Sequence, residues 1–115
     1  PDFNTTVQTD LTKLTIQADQ KNLYTPVSVT SDGVRMYVSD LAFNRVLIWN
    51  TIPTSNNTAA SVVLGQPDFV TSAPNSPLLP PIERLSSPTQ IAAFGHQLFI
   101  ADQTYNRVAV RTLPN

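Results

Sequence analysis

Short apolar runs, each bounded by turn-forming polar residues, recur along the chain: Met36-Tyr37-Val38, Val46-Leu47-Ile48-Trp49, Val62-Val63-Leu64 and Leu98-Phe99-Ile100-Ala101. None holds a helical period over a useful length, and all are rich in β-branched and aromatic side chains, which suit strands. The pattern predicts strands over 27–30, 35–39, 46–49 and 61–64, then 89–92, 97–101 and 108–111. Turns fall at Asp32-Gly33 and Phe94-Gly95, and again over 40–44 and 102–106. Only 9–20 is ambiguous. Leu11, Leu14 and Ile16 fit a short helix there, while Thr12 and Thr15 favour strand or coil. The runs are continuous rather than alternating, which predicts strands covered on both faces.

These elements repeat. Residues 26–50 and 88–112 align without a gap at an offset of 62. Pro26/Pro88, Gly33/Gly95, Asp40/Asp102, Asn44/Asn106, Arg45/Arg107 and Val46/Val108 are identical, and Tyr37/Phe99, Val38/Ile100, Phe43/Tyr105 and Ile48/Val110 keep their character. The triplet Pro1-Asp2-Phe3 returns as Pro67-Asp68-Phe69 at an offset of 66, so length variation is confined to the connections. Units of fixed length joined by variable linkers are the mark of stacked repeats. Small antiparallel sheets covered on both faces arise when blades stack radially, whereas a two-sheet sandwich leaves its outward positions polar.

The segments VRMYVSDLAFNRVLIW and HQLFIADQTYNRVAV resemble NHL repeats, in which an Asp closes one strand and Asn-Arg-Val opens the next; VVLGQPDF resembles the outer-strand ending of bacterial members. The resemblance implies an all-β fold made of two blades of an NHL-type β-propeller, six-bladed when complete. The expected divisions are a leading segment 1–23, able to serve as an exchanged outer strand, a first blade 24–66, a Pro-rich linker 67–83 and a second blade 84–115. The second blade reaches only its third strand, so it is expected to lack its outer one. Two blades cannot close a ring. Completion is expected from further copies of the chain or from the remaining blades of a longer one, and an isolated folded monomer is not expected.

Composition narrows the chemistry. Seven basic and eight acidic residues leave a net charge of −1, with no basic stripe for nucleic acid and no polybasic segment for a membrane surface. No apolar run has the ~18 residues that membrane insertion needs. The chain has no cysteine, which removes disulfides, thiolate metal sites and cysteine nucleophiles. Charged residues are only 13%, and polarity rests on 14 Thr, 9 Ser and 9 Asn, a balance that leans towards an extracellular or periplasmic protein of the bacterial envelope. Ten prolines against three glycines predict stiff connections, the stretch 74–81 being a polyproline-prone spacer.

The recurring charged pairs are Asp40/Arg45 and Asp102/Arg107. An Asp ending one strand and an Arg opening the next can pair across the turn, and recurrence in both units points to a role in the fold rather than in a ligand site. Asn44 and Asn106 are expected at turn positions of positive φ. His96, the only histidine, has neither the converging ligands of a metal site nor the partner of a general base. Trp49 aligns with Arg111, so the fold does not require it; packing at a blade rim is the expectation, with partner contact by Trp49 or His96 the alternative. Asn4 and Asn56 open glycosylation sequons, but nothing else in the chain supports a glycan.

The resulting expectation is a binding or structural module that mediates protein–protein assembly, with no catalytic residue, cofactor or metal, and no nucleic-acid partner. Two other readings are a fragment of a propeller enzyme with its catalytic residues on other blades, and a carbohydrate or cell-surface recognition module.

Overall fold

A computed structural model of the chain describes residues 17–113. They form two antiparallel sheets. The first contains β1 (Pro26–Ser31), β2 (Met36–Asp40), β3 (Arg45–Trp49) and β4 (Val62–Leu64), in chain order; the second contains β5 (Pro88–Phe94), β6 (Gln97–Asp102) and β7 (Arg107–Thr112). The described residues include no α-helix, only single 3-10 turns at Pro81–Glu83 and Gln103–Tyr105. The sheets do not close into a ring.

The offset of 62 is carried into the backbone. Asp40 pairs with Arg45 and Asp102 with Arg107 at the closed ends of the β2–β3 and β6–β7 hairpins. The bulges fall at Pro26/Ser28 and Pro88/Gln90, where a proline cannot donate to the ladder. Asn44 and Asn106 take φ of 53° and 51°, the left-handed conformation that Asn tolerates better than most residues. The first hairpin turn is tied by Asp32, whose carboxylate accepts the N–H groups of Val34 and Arg35 and the hydroxyl of Tyr37. Those donors, the Arg35 N–H foremost, hold its pKa down to about 2.

Alternate residues of the strands build two cores. Tyr37, Val46 and Ile48 on one face of the first sheet pack with Leu85, Ile91, Leu98, Ile100 and Ala109 of the second unit. On the opposite face Val38, Leu47, Trp49 and Ala60 form a second cluster, joined by Met36, Val63 and Phe69. β2 and β3 are therefore covered on both sides, as their continuous apolar runs predict. The second sheet is covered on one side only, as the end unit of a two-blade chain is expected to be. Leu98 and Ile100 are buried, but Val108 and Val110 on its outward face are 63% and 47% exposed, with Phe99 and Ala101 half-buried.

The connections also differ from the sequence reading. Residues 74–81, expected as a stiff polyproline-prone spacer, contain turns at 74–75 and 77–78 rather than a continuous polyproline run. Asn75 has φ of 50°, Leu79 donates to the Ser76 carbonyl, and Leu85 and Ser86 are buried. Of the leading segment, residues 1–16 lie outside the described residues, and with them Asn4 and most of the ambiguous stretch 9–20. Residues 17–20 are neither helix nor strand; Gln20 exchanges hydrogen bonds with Ala60, its carbonyl accepting the Ala60 N–H at 2.9 Å.

Candidate functional site

Each Asp–Arg pair sits at the same place in its hairpin and makes matching contacts. The Asp40 carboxylate accepts the N–H groups of Thr25 at 2.8 Å and Tyr24 at 3.2 Å, and lies 3.6 Å from Arg45 Nε. Arg45 Nη2 donates to the Asn22 carbonyl at 2.8 Å, and the guanidinium stands 5.0 Å above the Phe43 ring. Shifted by 62, the set recurs: Asp102 accepts the Ser86 N–H, Arg107 pairs with Asp102 at 3.2 Å, Arg107 Nη2 donates to the Arg84 carbonyl, and its guanidinium lies over Tyr105. The clamp thus ties the segment entering each sheet to the hairpin between its second and third strands.

The two clamps differ in enclosure. Arg45 and Asp40 are fully buried, and Arg45 Nη1 reaches the Phe69 carbonyl at 2.9 Å on the connection leaving the sheet. Burial pulls the Arg45 guanidinium below its usual pKa, against the opposing attraction of Asp40. Arg107 is 35% exposed and has no counterpart of the Phe69 contact among the described residues; each clamp keeps one buried atom without a hydrogen-bond partner, Arg45 Nε in the first and Asp102 Oδ1 in the second. The asparagines diverge likewise. Asn44 accepts the Ser87 N–H and donates to the Ser72 carbonyl, stitching the first unit to the second, whereas Asn106 is exposed.

Trp49 is 6% exposed and its indole N–H donates to the Thr58 carbonyl at 2.9 Å, so its ring packs inside and offers too little surface for stacking on a partner. His96 is exposed in the β5–β6 turn, where its carbonyl accepts the Leu113 N–H. Asn56 is exposed in the β3–β4 connection. No group of three or more His, Asp or Glu side chains among the described residues converges to hold a metal. No described helix is long and apolar enough to cross a membrane.

What remains conspicuous is apolar surface. On the outward side of the first sheet, Leu23, Val27 and Val29 are 38%, 44% and 65% exposed and line a shallow depression of about 360 Å³ with Pro26, Ser28 and Val38. On the outward side of the second sheet, Ala92, Phe99, Ala101 and Val108 line another. Two blades alone leave the face of Val27 to Ser39 on one side and that of Leu98 to Ala101 on the other without a neighbour, and the open apolar surfaces lie on these faces. No protein-family model matches the chain, and no curated protein matches it.

Proposed function

We propose that the chain is a non-catalytic binding module, two NHL-type propeller blades whose open sheet faces mediate protein–protein assembly outside the cytoplasm. One observation carries this reading. The second sheet's outward face repeats, residue for residue at the offset of 62, the face that the first sheet buries: Tyr37, Val46 and Ile48 are at most 1% exposed, while their equivalents are Phe99, Val108 and Val110. A surface of the same composition as a core, left facing water, marks an interaction site rather than a solvated exterior. The enclosed clamps support a structural rather than a ligand-binding role for the only charged residues that recur. Low charge and absent cysteine support an envelope or secreted setting.

The test is the solution mass of the purified chain, read together with binding of a dye that fluoresces on apolar surface. The expected result is species heavier than 12.6 kDa, or a dilute monomer that binds the dye. A folded monomer silent to the dye at every concentration would overturn the reading.

A further inference from the structure

Resting on that reading, we infer that the partner for the second sheet's open face is a second copy of this chain, which docks the outward face of its own first sheet there, head to tail. The contact between the two units within one chain supplies the template. There, β5 lies beside β1 and β2, Ile91 donates its N–H to Ser28 Oγ, and the second unit contributes Leu85 and Ile91, 0% and 5% exposed, together with Leu98, Ile100 and Ala109. They meet Tyr37, Val46 and Ile48.

Subtracting 62 from Leu85 and Ile91 gives Leu23 and Val29, and from Leu98, Ile100 and Ala109 gives Met36, Val38 and Leu47; adding 62 to the receiving residues gives Phe99, Val108 and Val110. Leu23, Val29 and the receiving set are exposed or half-buried and apolar, whereas Val38 and Leu47 are buried. The open part of the first sheet's outward face lies along β1 and the segment entering it, the equivalents of β5 and of the segment that carries Leu85. The outer part, around Val38 and Leu47, the equivalents of Ile100 and Ala109, is already covered by Ala60 and Phe69, so the second copy docks through the β1 side alone. Each chain thus carries one donor face and one receiving face of matched kind, unlike in position, which is the condition for heterologous addition. Such contacts close into rings where the rotation permits and run on as filaments where it does not. Ser39, whose hydroxyl donates to the Pro88 carbonyl within the chain, is replaced by Ala101 at the receiving face. The contact between copies is accordingly more apolar than the internal one. Without the covalent tether it also bears the translational and rotational cost of association, so it depends on concentration.

The experiment uses two single variants of the full chain, Val29→Asp on the donor face and Val108→Asp on the receiving face, both at exposed positions. Sedimentation of the wild-type chain is expected to show mass rising with concentration. Each variant alone is expected to remain at 12.6 kDa, with its thermal unfolding preserved. Mixed in equal amounts, the two are expected to form a 1:1 dimer and nothing larger, because each supplies the face the other lacks. Val110→Lys replaces Val108→Asp if the latter unfolds. Variants that associate as the wild type does, or a mixture that stays monomeric, would overturn the head-to-tail contact. A wild-type monomer that binds the apolar dye would overturn the second copy as partner while leaving the assembly reading intact.

Discussion

Arg45→Ala is expected to lower the unfolding free energy by about 3–5 kcal/mol, the range for removing one partner of an enclosed ion pair, while Arg107→Ala lowers it by about 1–2 kcal/mol. The two substitutions delete the same group from the same place in a repeat, so the contrast isolates enclosure. Removing Arg45 leaves the buried Asp40 carboxylate without its counter-charge and strips donors from the carbonyls of Asn22 and Phe69, which belong to different segments. Two backbone N–H groups remain on Asp40 and offset part of that loss. Removing Arg107, already 35% exposed, admits water to Asp102, and hydration then replaces the pairing. With stabilities of about 5–15 kcal/mol for small domains, the first variant loses a large fraction of its margin and the second does not. Urea denaturation at neutral pH checks the order. Equal losses would mean that enclosure does not separate the two clamps.

The second large effect is expected at Gly65, which follows the end of β4. Its φ is +91°, and a Cβ there would stand 2.7–2.9 Å from Cδ1, Cβ and Cγ of Leu85. Leu85 is fully buried between the units, and because its own Cβ is among the clashing atoms, a change of rotamer cannot clear the way. Gly65→Ala therefore adds steric overlap to the backbone strain of a left-handed alanine, together about 2–4 kcal/mol. Gly33→Ala is the control. Its φ is +94°, but nothing lies within 4 Å of the added carbon, so only strain of about 1–2 kcal/mol is expected. Thermal unfolding of the two variants separates the overlap from the strain; equal shifts would remove Leu85 from the explanation.

Much of this architecture is legible because one unit is used twice. Gapless alignment at 62 places both hairpins, both Asp–Arg pairs and the asparagine turns, since each depends on the identity of a side chain. What the alignment hides are contacts made by main chain. Asn22 and Arg84 serve their clamps through carbonyls, and Tyr24 and Ser86 through N–H groups, so dissimilar residues occupy equivalent places. Leu85 is hidden for another reason: it stands in an aperiodic stretch beside Leu78 and Ile82, which are exposed, and only Leu85 fills the space between the sheets. Gln66 reads only as the last residue of the first blade, although its buried amide donates to the carbonyls of Asn44 and Ala73 and fixes the path out of the first sheet. Continuous apolar runs mark faces fit for burial. They do not say which neighbour supplies the cover, so the first sheet, open only along β1, and the half-open second sheet share one sequence pattern.

Val108 and Val110 present to water the surface that Val46 and Ile48 present to the core. Methyl NMR with a soluble paramagnetic relaxation agent measures that difference residue by residue. In the dilute chain, the methyls of Val46 and Ile48 are expected to be shielded and those of Val108 and Val110 strongly relaxed, with the latter pair becoming shielded as concentration rises. Equal shielding of all four at every dilution would contradict an open second sheet.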